Sequence, residues 1–281
     1  MAKIPAKVES RIKDALKRFK PVIEQAKARD IGEADTSTLV KDILADLFGY
    51  DKYTEITAEY QIKSTYCDLA LKIEGKLALL VEVKAIGLEL KESYIKQAVD
   101  YAANQGIEWV ILTNAVTWQV YKVGFGKPIT NDLLMTLNFL SLDPKVDSDL
   151  ESLYLLSRES QGKSLLDEYY EQKQALSKYC IGALLLTEPV LAVVRRELKR
   201  MSPDVKIEIE EIQSVLSQEV IKRDVIEGEK ALEAGRKITR AANRALKAKS
   251  EKETGVGQAP SLTTAAATPS NASKVSEGSA P

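Results

Sequence analysis

The chain has 281 residues, 44% hydrophobic and 29% charged, the make-up of a soluble globular protein of one or two domains. Forty Lys and Arg nearly cancel 41 Asp and Glu, so any surface for a polyanion must be a local patch rather than a global field. Histidine is absent, which excludes Ser-His-Asp and Cys-His nucleophilic mechanisms, histidine-ligated metal centres and imidazole proton shuttles.

The two cysteines, Cys67 and Cys180, lack paired ligand spacing, so neither a structural zinc nor a disulfide is expected and a reducing cytoplasm fits. The N-terminus alternates Lys with apolar residues, unlike a signal peptide. The longest apolar run, residues 181–194, is broken by Thr187, Glu188 and Pro189 and is too short to span a bilayer. A soluble, cytoplasmic protein with no membrane partner is expected.

In chain order, Ile12, Leu16, Phe19 and Ile23 predict a helix over residues 1–30, with Pro21 a candidate kink. Leu39, Ile43, Leu44 and Leu47 predict a second helix over 36–48, stopped by Gly49. The apolar period then shortens to two, predicting strands at 53–62, 65–73 and 77–84. A helix over 93–104 and strands at 109–113 and 118–123 follow. The order helix, three-strand meander, helix, strand, with one strand appended, predicts a mixed α/β core of about 100 residues.

From residue 147 onward the pattern is helical, with a short strand expected at 205–209 and a long charged helix over 218–249. Residues 251–281, rich in Ala, Ser, Thr, Gly and Pro, have too little apolar surface to order themselves and are expected to be disordered. The expected organisation is an N-terminal helix (1–30), an α/β domain (31–145), a mostly helical accessory region (146–250) and the tail (251–281).

The chemistry points to residues 65–84, two strands joined at Glu74-Gly75-Lys76. A turn centred on Gly75 sets Asp68 opposite Glu82; a turn shifted by one makes them diagonal neighbours. Cys67, Leu69, Leu71, Ile73, Leu77, Leu79, Val81 and Val83 would share one buried face. Asp68, Glu82 and Lys84 would share the other, which Ala70, Ala78 and Leu80 make half-buried. Two carboxylates about 5 Å apart repel by roughly 3 kcal/mol at an effective dielectric near 20. A divalent cation on oxygen ligands offsets that repulsion, with the Val83 carbonyl completing its shell and Lys84 holding a water. The competing reading is a solvated face on which Lys72 and Lys84 neutralise the acids.

Asp68 followed by Glu82-Val83-Lys84 resembles the PD-(D/E)xK nuclease signature. Gln97 and Tyr101, one turn apart on the helix over 93–104, resemble the Gln-x-x-x-Tyr motif of one branch, the N-terminal nuclease domain of type I restriction enzyme R subunits. Glu33, the Leu112-Thr113-Asn114 strand end, Trp118 and Tyr121 also match. The resemblance covers roughly residues 30–142 and implies a restriction-endonuclease-like PD-(D/E)xK fold with Mg²⁺-dependent (or Mn²⁺-dependent) hydrolysis of DNA phosphodiesters. It implies Asp68, Glu82 and Val83 as metal ligands, Glu33 as an added carboxylate, Lys84 on the attacking water, and Gln97 and Tyr101 beside them. Cys67 stands where the family often has proline. No helicase motor is expected within these residues, since Ser157 occupies the first-glycine position ahead of Gly162-Lys163-Ser164.

The expectation is a stand-alone Mg-dependent DNA endonuclease of restriction type, as a homodimer or with further restriction-modification subunits. Its alternative is a catalytically inactive nuclease-fold module for DNA binding or interaction. A weaker third reading is a repair or recombination nuclease acting on branched or single-stranded DNA. Two basic stripes, Arg195/Arg196/Lys199/Arg200 and Arg236/Lys237/Arg240/Arg244/Lys247, are candidates for phosphate contacts or, more simply, solvated helix faces.

Overall fold

In a computed structural model the described residues are 3–62 and 65–254, and they form two compact units, residues 1–177 and 178–281. The first unit is built on a six-stranded sheet in sequential order, β1 (Ile56–Ile62), β2 (Thr65–Ile73), β3 (Lys76–Val83), β4 (Trp109–Thr113), β5 (Thr117–Gly124) and β6 (Thr130–Asn138). All neighbours are antiparallel except β3 and β4. That parallel pair needs a crossover, which α3 (Glu92–Gln105) supplies. Glu82 and Lys84 thus lie at the carboxyl end of a central strand, where open α/β sheets leave a crevice.

Each face of the sheet carries its own apolar cluster. Leu69, Leu71, Leu79, Val81, Val83, Ile111 and Val120 pack with α1 (Ala6–Ala28), α2 (Glu33–Asp46) and α4 (Asp147–Leu155) through residues such as Leu16, Ile43 and Leu153. Ala70, Leu80, Val110 and Leu112 pack against Ile95, Ala98, Val99 and Ala102 of α3. Phe48, Trp118 and Phe139 meet at ring-centroid distances of 5.3–6.2 Å beside the first cluster. Arg11 joins α1 to this unit with a bidentate pair to Glu159 (2.6 and 2.7 Å) and bonds to the carbonyls of Leu47 and Phe48, which α2 leaves unsatisfied at its end.

Several expectations change. The hairpin turn is two residues, Glu74 (φ +51) and Gly75 (φ +76), both left-handed as a type I′ turn requires. Ile73 pairs Lys76, but a shift between Leu71 and Lys72 restores the pairing of Leu71 with Leu79 and Leu69 with Val81. That register, extended by one residue, sets Asp68 opposite Glu82. The extra residue on β3 flips the alternation, so Leu77 packs on the α3 side, and Cys67 also lies there rather than with Leu69. α1 runs through Pro21 without a break in the helix.

β6 was not anticipated. Its residues Asn131, Asp132, Leu133, Leu134 and Met135 are poor strand formers, and pairing with β5 at the sheet edge overrides that preference. The strand expected at 205–209 is absent among the described residues: this segment is turn and coil leading into α9 (Ile209–Val215), whose start is fixed by a capping box between Glu208 and Glu211. The expected boundary at 145/146 falls inside the first unit, because α4, α5 (Arg158–Gln161) and α6 (Leu165–Ala175) cover the sheet with Leu150, Leu153, Leu165 and Leu166.

The second unit holds α7 (Lys178–Leu185), α8 (Glu188–Met201), α9, a π-helical turn at Leu216–Val220, α10 (Arg223–Ile226) and α11 (Glu229–Thr254). The long helix expected over 218–249 is therefore interrupted. Gly228, at φ +93, stands between α10 and α11. Residues 251–254 of the expected tail end α11, and 255–281 lie outside the described residues. Among the described residues no helix is long and apolar enough to cross a membrane.

Candidate active site

Five of the seven predicted site residues converge at the end of β3. The backbone N–H of Val83 donates to Asp68 Oδ2 at 2.7 Å, so the β2 carboxylate is clamped onto the strand that carries Glu82. Lys84 Nζ donates to Glu82 Oε1 at 2.8 Å and lies 3.4 Å from Glu33 Oε1, at the first residue of α2. The side chains of Lys84 and Glu82 are only 16% and 14% exposed, against 49% for Glu33. Solvent therefore screens the Lys84–Glu82 pair weakly.

Burial pushes the Asp68 carboxyl above its ordinary value, against the pull of the Val83 N–H and of Lys84. Burial likewise raises Glu82, with the Asp68 charge adding to it and the Lys84 hydrogen bond opposing. For Lys84 burial acts downward, but the Glu82 hydrogen bond and the charges of Glu82, Glu33 and Asp68 outweigh it and leave the ammonium raised. Three acids around one lysine form a cluster with an excess of negative charge.

The neighbourhood is held in place by β4. Lys84 N–H donates to Thr113 O (2.8 Å), and Asn114 Nδ2 donates to Ile86 O and Leu88 O while its Oδ1 accepts from Thr117 N–H. Asn114 thereby ties the chain leaving Lys84 to the β4–β5 turn. Trp118 Nε1 donates to Ala115 O in the same turn, and Tyr121 OH donates to Gln119 Oε1.

Gln97 and Tyr101 are bonded to each other, Nε2 to OH at 3.4 Å. Among the described residues no hydrogen bond joins them to the acids. Tyr101 is buried with Cys67, Ala70 and Leu80, while Gln97 is exposed. Glu59 of β1 was not anticipated. The pairing of Ala58 with Leu69 and Tyr60 with Cys67 brackets it opposite Asp68, whose carboxyl its charge raises further. Its φ of +48 is invisible in the sequence.

Among the described residues no group of three or more His, Cys, Asp or Glu is disposed to hold a metal ion. Asp68 and Glu82 nevertheless suit Mg²⁺, which keeps several waters and takes one or two protein carboxylates. Both are raised by burial, the condition that a cation relieves.

Residues 39–133 match the family model described as type I restriction enzyme R protein N terminus. The matched stretch runs from within α2 to within β6 and contains Asp68, Glu82, Val83, Lys84, Gln97 and Tyr101, while Glu33 precedes it. No curated protein and no solved structure matches the chain.

Proposed function

We propose that this protein is a metal-dependent DNA endonuclease of restriction type, with a restriction-endonuclease-like core and its centre at the end of β3. The observation that carries the proposal is the half-buried Asp68–Glu82–Lys84 constellation, held by the Val83 N–H and lying inside the segment matched by the R-protein N-terminal family. Asp68, Glu82 and the Val83 carbonyl would hold Mg²⁺ or Mn²⁺, with Glu33 adding a carboxylate from α2. When bound, such an ion supplies Lewis-acid polarisation of the phosphodiester.

The chain's own residues do the rest. Lys84, raised and protonated at neutral pH, cannot serve as a base, so it holds the attacking water by donating or steadies charge on the phosphate oxygens. The Val83 N–H fixes one oxygen of Asp68 and leaves the other for the ion. Gln97 and Tyr101, on α3, support the site from the side of the second apolar cluster. The partners that follow are DNA and, as in restriction-modification systems generally, further subunits.

Calorimetry with Mn²⁺ tests the site, and relaxation of supercoiled plasmid in Mg²⁺, reversed by chelator, tests the activity. Binding and chelator-sensitive nicking are expected. Wild-type protein that binds no divalent ion and nicks no plasmid would instead favour a nuclease-fold module for interaction, in which Lys84 permanently occupies the acids.

A further inference from the structure

The two basic stripes of the second unit have different surroundings. On α8, Arg195 donates to Ile207 O (2.8 Å) and lies 3.4 Å from Glu208, while Arg196 and Arg200 both pair with Glu197 (3.1 and 2.7 Å). Three of the four cations of this stripe therefore have an acidic partner, Arg196 and Arg200 sharing one. On α11, Arg236, Arg240 and Arg244 are exposed and have no acidic partner among the described residues, and Lys237 has only a long contact (3.7 Å) with Glu233.

Arg236, Arg240 and Arg244 recur every four residues, so they rise about 6 Å apart along one side of the helix. Residues 236–249 contain six Lys and Arg and no acid. The first turns of α11 pack through Ala231, Ala234 and Ile238, with α7 as the main neighbour. Beyond Ile238 the surroundings change: residues 239–245 are exposed on every side.

We propose that this second half of α11 is a rod that engages the phosphate backbone of duplex DNA. The nuclease reading enters only in choosing DNA among polyanions; the surface belongs to a different unit from the proposed active site. Duplex DNA carries about one charge per 1.7 Å, so the roughly 16 Å from residue 236 to 247 faces about ten phosphates. A helix of about 10–12 Å diameter fits a major groove about 12 Å wide. An anionic membrane is a poorer fit. Residues 236–249 contain no Trp, Phe or Tyr and a single Leu, Leu246, too few anchors for an interfacial helix.

The test is fluorescence anisotropy of the full chain with a labelled 20-base-pair duplex in chelator, between 50 and 200 mM salt. The triple variant Arg236→Gln/Arg240→Gln/Arg244→Gln keeps good helix formers at exposed positions, and circular dichroism checks its fold. Its log–log salt slope should fall in magnitude by about 2.7, three contacts at about 0.9 each. The corresponding triple lysine variant should keep the wild-type slope. An unchanged slope in the glutamine variant overturns the proposal. So does loss of the slope in the lysine variant, or charge-dependent binding to phosphatidylserine vesicles without a matching effect on DNA. Absence of cleavage together with the predicted slope change removes the nuclease reading and leaves this surface standing.

Discussion

Replacing Lys84 by Met removes the one cation among the site acids in the described residues while keeping most of the aliphatic stem. Glu82 then loses a 2.8 Å charge-assisted hydrogen bond at a position only 14% exposed, beside an Asp68 carboxyl already raised by burial. Breaking a fully buried pair costs about 3–5 kcal/mol. This pair keeps some solvent, so about 2 kcal/mol is expected, a fall in Tm of roughly 4–8 °C for a unit of 177 residues. The loss has a pH signature. Glu82 titrates above its unfolded value, so its charged form is penalised in the fold, and protonation as pH falls relieves the variant of the penalty. Lys84 is raised, so its stabilising contribution is full below its unfolded value of 10.5 and is lost as pH rises through the folded value. The difference between wild type and variant should thus be full at neutral pH, shrink as Glu82 protonates in acid, and shrink again as pH rises beyond 10.5. Thermal unfolding read by circular dichroism measures it, and Glu82→Gln added to Lys84→Met should recover most of the loss. A variant as stable as wild type at pH 7, or a double variant showing the summed losses, refutes the reasoning.

Other consequences are equally specific. Arg11→Ala should cost about 1–3 kcal/mol by urea unfolding, since it strips Glu159 and the Leu47 and Phe48 carbonyls of a shared donor. Burial pushes Glu159 up, but the Arg11 hydrogen bond and charge hold it below its ordinary value; that stabilisation is present above about pH 4.5 and lost on further acidification, a dependence Arg11→Ala should abolish. Glu74→Asn should stabilise the hairpin by a few tenths to about 1 kcal/mol, because Asn tolerates the left-handed φ that Glu74 adopts ahead of Gly75. The Cys67 thiol, fully buried and pushed up to about 12 by burial and by the Glu82 and Asp68 charges, should resist Ellman's reagent until the protein unfolds; reaction in the native state counts against this packing.

The hairpin was legible because period-two alternation over Leu69, Leu71, Leu79 and Val81 fixes the facing of whatever lies between them. The same logic misplaced Leu77, since a register shift flips a strand without leaving a mark in the pattern; Cys67, beyond that shift, also sits on the other face. The relation of Asp68 to Glu82 survived because the two-residue turn and the shift cancel. Lys84's partner Glu33 was singled out only by the resemblance to the R-subunit nuclease domain, whereas Glu59 was missed because nothing local signals its positive φ or its position opposite Asp68. β6 escaped because its strand character comes from β5 and not from its own residues. The two basic stripes differ already in the sequence, since Glu197 lies within the first and no acid within the second; the fold adds Glu208 and the Ile207 carbonyl, which the chain after α8 brings to Arg195.

The most direct test of the account is nicking of supercoiled plasmid in Mg²⁺ by wild type, Glu82→Gln and Lys84→Ala, each checked for folding by circular dichroism. Activity in the wild type with at least a hundredfold loss in both variants is predicted, because each removes a group held at the end of β3. Equal nicking by all three proteins would contradict it and move the chemistry away from this site.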